Sequence, residues 1–339
     1  MNPLRGRSRL PAAPRIPFLH GTAGFVVRRV LLGLLTLWLV SVVVFAATQA
    51  LPGDPARAFL GRNATPESLK ELRKQLDLNR PAINQYGSWL KGLVTGDPGH
   101  SLTGTREPVT KVLGKPLENS SFLVLIAAAL SVPLSILLGA ASARRRDGPF
   151  DHVASITLLA FAALPEFVVA IVLVVLFGTT VWAVLPAVSL IPPAEGPWNH
   201  PRELILPTLT LVVAVTPYIA RITRASMVEV LESDYVEMAR LKGLSERLVV
   251  WRHALPNAIA PAIQVTALNL AYLAGGIVVV ERVFGYTGTG SALVDAVAAR
   301  DFPVVQAVAM LIAAVYVVLN LAADVSTILV SPRLRTSIT

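Results

Sequence analysis

The sequence predicts an all-α, polytopic membrane protein with six transmembrane helices and both termini in the cytoplasm. Of its 339 residues, 54% are hydrophobic and only 15% are charged, whereas soluble domains carry about 25% charged residues. Long runs without charge reach the roughly 20 residues that a spanning helix needs. Basic residues are concentrated in alternate loops, which fixes an orientation.

The apolar runs give the spans in chain order. The third run contains one charge, Glu166, and Pro186 and Pro192 interrupt its second half, so we interpret it as one helix followed by an irregular loop. The predicted spans cover residues 25–50, 119–143, 153–179, 204–224, 258–280 and 304–330. Residues 1–24, rich in arginine and proline, are expected to form a disordered cytoplasmic tail, and 331–339 a second tail.

A long extracytoplasmic cap, residues 51–118, is predicted between the first two spans. Thr65-Pro66-Glu67 is typical of a helix start, because Pro suits the first helical position and an acid favours the positive end of the dipole. A second cap helix is expected near Pro81. The cap either covers a pore mouth or contacts an external protein. Residues 119–330 form the predicted core, which includes a polar cytoplasmic segment at 225–257.

The charge distribution supports this orientation and excludes some functions. Basic clusters precede the first span and follow the second, fourth and sixth, so the positive-inside rule places these regions in the cytoplasm. The net charge of +9 does not indicate nucleic-acid binding, because the basic residues lack interleaved aromatics. The chain has no cysteine, which excludes thiolate metal sites, and no metal centre is predicted. It also lacks a P-loop and common hydrolase motifs.

The polar stretch at 234–243 carries the strongest functional signal. Ser233-Asp234 followed by Glu237 has capping-box character and predicts a short helix. Gly243 suits its C-terminal cap because glycine accepts positive φ. Alone, this pattern is typical of an ordinary amphipathic surface helix. The side chains expected to form its partly apolar face are Tyr235, Met238 and Ala239.

The spacing around this stretch resembles the EAA motif of ABC import permeases. Glu237-x-Ala239-x3-Gly243 is followed, after nine residues, by His253-x-Leu255-Pro256. Other segments are similar to permeases of the dipeptide and oligopeptide importer family: Leu51-Pro-Gly-Asp-Pro55, Gln85-Tyr-Gly-Ser-Trp-Leu90, Gly96-Asp-Pro-Gly-His-Ser101 and Arg300-Asp-Phe-Pro-Val-Val-Gln306. Gly285-Tyr-Thr-Gly-Thr-Gly290 departs from the family's Pro-Gly-x-Gly pattern.

The resemblance implies a subunit of a type I ABC importer in the bacterial cytoplasmic membrane. It implies a second permease subunit, two cytoplasmic ATP-binding subunits that hold ATP and Mg, and an extracytoplasmic protein that delivers dipeptides or short oligopeptides. This chain itself would contact lipid, bind no cofactor and catalyse no reaction. Nickel chelates, haem and glutathione are alternative cargoes within the same class. A self-sufficient secondary transporter is the alternative class, which would not need the Glu237–Pro256 pattern.

The resemblance also assigns roles within the coupling helix, residues Asp234 to Gly243. Glu237 would pair with a basic group of the ATPase, and small Ala239 would allow close approach. Gly243 would turn the chain, and Leu255-Pro256 would return it to the membrane.

Several polar residues within the spans are candidates for other roles. Glu166 either faces the pore and attracts a peptide ammonium or is tied into helix packing, because an ionised carboxylate is costly in lipid. Gln264 and Asn269 are further substrate-path candidates. Gly275-Gly276 permits close helix packing or a bend, of which packing is the expectation. Glu281 is expected to anchor a loop or to meet the binding protein.

Overall fold

The computed structural model describes residues 22–50, 60, 64–75, 79–103 and 106–330. These residues are 82% helical and contain no β-strand, which confirms the all-α class. Most of the predicted N-terminal tail, the turn at 51–55 and the tail at 331–339 lie outside the described residues.

From residue 82 onward, the connections between helices are short except at residues 96–108 and 180–200. They are α1 Thr22–Ala50, α2 Pro66–Gln75, α3 Ala82–Thr95, α4 Val109–Arg144, α5 Pro149–Ala163, α6 Glu166–Leu173, α7 Pro201–Leu231, α8 Asp234–Leu241, α9 Glu246–Leu248, α10 Leu255–Phe284, α11 Thr289–Ala299 and α12 Phe302–Val330. A π-helical turn at Val174–Thr179 continues α6, and another at Val249–Ala254 joins α9 to α10. The predicted cap helices near Thr65 and Pro81 are therefore present as α2 and α3.

The number of membrane spans in the structure depends on how two bent helix pairs are counted. Within the described residues, four helices are long and apolar enough to cross a membrane: α1, α4, α7 and α12. Helices α5 and α6 with its π turn form one bent pair, at 103°, and residues 246–273 and 277–284 form another, at 46°. Counting each pair as one span gives six.

The third predicted span is not one continuous helix. It breaks at Leu164, which has extended angles of φ −85 and ψ 129, and Pro165 follows. Proline lacks an N–H group and disfavours a helical conformation in the residue before it, so the helix ends there. Gly275 likewise lies at the 46° bend of α10. A Cβ added to Gly275 would meet only Ile312 among the described residues, at 3.9 Å, so this position shows a bend and not the expected close packing.

The second span begins ten residues earlier than predicted, so the predicted cap boundary at 118 falls inside α4. The sequence prediction left residues 109–118 out of the span because they include charged residues. In the structure, Lys111 pairs with Glu107 at 2.7 Å on the surface. The opposite face buries Val109 and Leu113 against Val304 and other residues of α11 and α12. Packing against these helices therefore extends α4 beyond its charge-free part.

Helix α7 is the centre of the bundle, lying between α4 and α10. Its buried residues Leu211, Val215 and Ile219 pack in one cluster with Leu123 of α4 and Ile277 of α10. By contrast, α1 packs mainly on α12, and only 6% of its most apolar window is buried. An exposed apolar helix of this kind is suited to lipid.

Candidate functional site

The polar stretch predicted from the sequence forms α8, which follows α7 after a two-residue break. Ser233 is the N-cap residue, with extended angles of φ −78 and ψ 148. Its hydroxyl donates to the Val230 carbonyl at 2.5 Å and accepts no hydrogen bond from an N–H group of α8. The predicted helix is therefore correct, but the predicted capping box is wrong. The short link brings the hydroxyl against the last carbonyls of α7, which lack helical donors.

The end of α8 has the geometry that Gly243 predicts. The Gly243 N–H donates to the Arg240 carbonyl at 2.9 Å, and the Leu244 N–H donates to the Ala239 carbonyl at 3.3 Å. This pair of hydrogen bonds is a Schellman motif. Gly243 has φ +78, and a Cβ added there would meet no atom within 4 Å. Glycine is thus needed for its backbone angle and not for space.

The two faces of α8 have different environments. Val236 and Ala239 are buried and pack against Val249 of the following π turn. The side chains that point away are Tyr235, Met238 and Leu241, which are 38%, 53% and 74% exposed. The expected face of Tyr235, Met238 and Ala239 is therefore incorrect, because a spacing of three residues places Leu241 beside Met238. Small Ala239 allows close approach within this chain.

Asp234 and Glu237 lie in the first turn of α8 and are exposed. No ion pair or side-chain hydrogen bond to either carboxylate is found within the described residues. Acidic side chains are favoured at this end of a helix by its dipole. They leave α8 with an acidic N-terminus beside an exposed apolar stripe.

Arg240 holds both ends of this region together, a role that the sequence interpretation missed. Its guanidinium donates to the Glu246 carboxylate at 3.2 and 2.9 Å and to the Leu231 carbonyl at 3.2 Å. Hydrogen bonding to Arg240 lowers the pKa of the Glu246 carboxyl below its ordinary value. The six-residue separation of Arg240 and Glu246 lies outside the helical pairing rule. Only the turn at Gly243 brings the two together.

The chain then enters α10 directly, with Leu255 as its first residue and Pro256 in its first turn. The preceding π turn is explained by Pro256, which offers no N–H to the carbonyl four residues earlier. Tyr235 donates to the His253 carbonyl at 3.5 Å, and the Asn257 amide donates to the same carbonyl at 2.7 Å. Helix α8 is therefore attached to the π turn that leads into α10 as well as to α7.

A cleft of about 600 Å³ lies between the α5–α6 break, α7 and α10. Glu166 and Asn269 both line it, whereas Gln264 is exposed on α10 and does not. The Tyr272 hydroxyl donates to the Glu166 carboxylate at 3.4 Å. Of the three predicted substrate-path residues, the structure thus brings two together and adds Tyr272 and Tyr218.

Comparison with known proteins gives a consistent result over nearly the whole chain. Residues 131–336 match the family described as binding-protein-dependent transport system inner membrane component. Residues 23–136 match the N-terminal part described for such membrane components. The chain belongs to this family. It is therefore a multi-pass membrane component of a transport system that depends on a binding protein.

Individual relatives of the permease are similar over their full length. It is 35% identical over 312 residues to a putative peptide transport system permease of Brucella abortus, covering 91% of this chain and 98% of that protein. It is 35% identical to a probable peptide ABC transporter permease of Sinorhizobium fredii, covering 92% and 99%. It is 36% identical over 307 residues to a glutathione transport system permease of Pectobacterium atrosepticum, covering 90% and 97%.

In the permease, Glu281 is an anchor for the loop after α10. This carboxylate is fully buried and accepts hydrogen bonds from the Ser120 hydroxyl at 2.5 Å and from the Ser291 N–H at 2.8 Å. Ser291 lies in the first turn of α11, so Glu281 satisfies donors that the helix leaves free. A Cβ added to Gly288 would overlap the Glu281 carboxylate, so this contact requires glycine in the departing sequence.

A second buried carboxylate joins the cap to the rest of the permease. Asp301 accepts from the Leu102 N–H at 3.0 Å and from the Thr103 hydroxyl at 3.1 Å, and also from the Ser101 hydroxyl. Gln306 donates to Thr48 of α1 at 2.7 Å. The sequence pointed to this segment through its family resemblance, but it contained no signal for the partners of Asp301, which lie about 200 residues away.

Proposed function

We propose that this chain is a membrane-spanning permease subunit of an ATP-driven importer of dipeptides or short oligopeptides. The observation that carries the proposal is α8, a helix that packs against this chain on one face and, within the described residues, is exposed on the other. Its exposed apolar stripe and its acidic first turn are suited to a partner with an apolar groove and basic rim. In the proposed complex, that partner is a cytoplasmic ATP-binding subunit.

The attachments of α8 support a rigid-body coupling mechanism. Arg240 ties α8 to the end of α7, and packing on Val249 ties it to the π turn that leads into α10. The middle parts of these same two helices line the cleft around Glu166. A movement imposed on α8 by ATP binding is therefore passed to two walls of the cleft. Substrate on its binding protein biases the same two-state equilibrium from the other side.

In the proposed mechanism, α5 moves together with α7 because a contact joins the two helices. Asp151, near the start of α5, is buried and accepts two hydrogen bonds of 2.6 Å from Arg224 of α7. The break that borders the cleft lies at the other end of α5. The wall formed by α5 is therefore connected to the α7 wall by a contact outside the cleft.

The rest of the proposed assembly follows from the family and the charge distribution. A second permease subunit completes the pathway in the bacterial cytoplasmic membrane, with both termini and α8 in the cytoplasm. Two ATP-binding subunits hold ATP and Mg, and this chain binds no cofactor and performs no chemical step. An extracytoplasmic binding protein delivers the cargo. The relatives named as peptide permeases support peptides as cargo, and the relative named as a glutathione permease makes glutathione the second candidate.

ATP-dependent uptake by the purified complex in proteoliposomes tests this function. We expect accumulation of the peptide that the cognate binding protein retains, only when ATP, the ATP-binding subunits and the binding protein are all present. Self-sufficient, proton-driven uptake by this chain without an ATPase would overturn the proposal. Uptake of glutathione but not of dipeptides would select the second candidate.

A further inference from the structure

We propose that the cleft around Glu166 is a cation-selective binding site on the transport path, which binds the ammonium group of the cargo during its passage. This inference rests on the proposed function, because it assigns a step within that pathway. It also predicts that the permease itself, and not only its binding protein, discriminates between cargoes by charge.

The position of Glu166 requires a polar environment. It lies in the first turn of α6, with apolar helix on both sides, in α5 and in the remainder of α6. Its neighbour in the cleft, Asn269, lies near the middle of α10. An ionised carboxylate at the centre of a membrane costs at least about 2.5 kcal/mol on insertion scales, so such residues face protein or a water-filled cavity. The cleft of about 600 Å³ provides that cavity.

The charge of the cleft favours a cation. Among its lining residues, Glu166 is the one carboxylate, and no Lys, Arg or His lines it in the part of the chain that the structure describes. The Glu166 carboxylate has no basic partner within 4 Å there, and its hydrogen bond to Tyr272 is long, at 3.4 Å. An ammonium group would find a carboxylate without a basic partner and two tyrosine rings, which attract cations through their faces. An anionic cargo would find no opposite charge.

The broken backbone adds to this preference. Ala162 and Ala163, at the end of α5, line the cleft beside Glu166. The last carbonyls of a helix lack helical donors and carry partial negative charge. Irregular backbone at membrane depth is tolerated where it lines a cavity, and broken helices supply such carbonyls to cations in other transporters. The Tyr218 hydroxyl reaches the Ala162 carbonyl only weakly, at 3.5 Å.

Thiol labelling tests the charge of the cleft without depending on transport. The chain has no cysteine, so Leu268→Cys places a single thiol of this subunit on the cleft wall, at a position 52% exposed. In the assembled complex, the rates of modification by a cationic and an anionic methanethiosulfonate are compared with and without Glu166→Gln. We expect the cation-to-anion rate ratio to fall roughly fivefold, since removal of one charge affects the two reagents in opposite directions.

A matched control uses Ser88→Cys on α3, an exposed position far from Glu166 in the sequence and outside the cleft. Its rate ratio should not change with Glu166→Gln. An unchanged ratio at position 268 would overturn the inference. So would a thiol at position 268 that reacts with neither reagent, because that result would place this wall in lipid.

Uptake of charged peptides gives the functional test. In proteoliposomes with the complete complex, Glu166→Gln should lower uptake of dilysine relative to N-acetyl-diglutamate, which has no ammonium group, by about tenfold, the effect of one charge-assisted hydrogen bond. Glu67→Gln on the exposed face of α2 is the matched control and should change neither. If Glu166→Gln takes up peptides at the wild-type rate and with unchanged charge preference, this inference alone is contradicted. Absence of ATP-driven uptake in the wild type would instead sink the proposed function.

Discussion

Two single residues set the position of α8 by different physical means. Gly243 supplies a backbone angle of φ +78 that most side chains resist. The Arg240 guanidinium donates both to the Leu231 carbonyl at the end of α7 and to the Glu246 carboxylate at the start of α9. The first acts through local conformational energy and the second through hydrogen bonds. Substitutions of Gly243 should therefore depend on the backbone angle that the new residue accepts, and substitutions of Arg240 on the loss of its hydrogen bonds.

Gly243→Ala should weaken the turn, because a left-handed conformation costs an L residue roughly 1–2 kcal/mol. Gly243→Asn should be tolerated better, since asparagine accepts this conformation more readily. The measurement is substrate-stimulated ATP hydrolysis by the complex, with the membrane level of the subunit as control. Because space is available for a Cβ, equal losses in the two variants would contradict the backbone explanation.

The Arg240–Glu246 pair should give a pH-dependent stability term of small size, because both side chains are more than one-third exposed and water screens them. The lowered pKa of Glu246 means that the pair stabilises the fold above the carboxyl's ordinary pKa. This contribution is lost as pH falls through the lower, folded-state pKa.

Thermal unfolding of wild type and Glu246→Gln in detergent measures this difference. We expect Glu246→Gln to unfold at lower temperature at pH 7 and the gap to close in acid. In Arg240→Gln, the further substitution Glu246→Gln should have little added effect, since the pair is already broken. A gap that widens in acid would contradict the assignment.

At the scale of elements, α8 is amphipathic in an unusual sense, since its buried face belongs to this chain and its exposed face is partly apolar. Val236 and Ala239 fix the helix to the π turn. Met238 and Leu241, on the other face, are exposed. The same sequence stretch therefore carries a structural face and the face that we propose for docking.

Substitutions on the two faces should have separable effects. Glu237→Lys and Leu241→Glu should reduce substrate-stimulated ATP hydrolysis at least about tenfold through lost docking, while leaving thermal stability of this chain nearly unchanged. Val236→Ala should instead destabilise by about 1–2 kcal/mol, because it removes two buried methyl groups. ATPase assays on the complex and unfolding curves of the isolated subunit distinguish these outcomes. Normal coupling in Glu237→Lys and Leu241→Glu would refute the docking role of this face.

At the scale of the whole molecule, buried carboxylates connect parts that are distant in sequence. Asp301 joins the cap to the start of α12, and Glu281 joins the end of α10 to α4 and α11. At the other end, α8 joins α7 to α10. Along α10, the residues that line the cleft lie between the Glu281 contacts and the end that meets α8.

Asp301→Ala should loosen the cap, because each hydrogen bond to a charged group is worth about 1.5–3 kcal/mol and its donors would be left unpaired. Limited proteolysis of the complex should then cut within residues 79–103 severalfold faster than in wild type. Asp295→Asn is a matched control, since Asp295 forms an exposed ion pair with Arg282. Equal protection in Asp301→Ala and wild type would show that the cap is held by other contacts.

Local patterns determined much of this protein. Apolar run lengths predicted the spans, and the Glu237–Gly243–Pro256 spacing predicted α8, its Gly243 turn and the start of α10, because these features depend on neighbouring residues. The sequence alone did not place the break at Pro165 within a span, since a proline is compatible with either a kink or a stop. It also missed the early start of α4, where packing outweighs exposed charges.

Only the tertiary structure decided which distant residues meet. Glu166 and Tyr272 are 106 positions apart, and Ser101 and Asp301 are 200 apart. Ala239 faces inward for the same reason, because the π turn returns beneath it. Composition and periodicity report the local free energy of a segment and its preference for the membrane. Pairing across the bundle depends on the angles at a few breaks and bends, which no local pattern specifies.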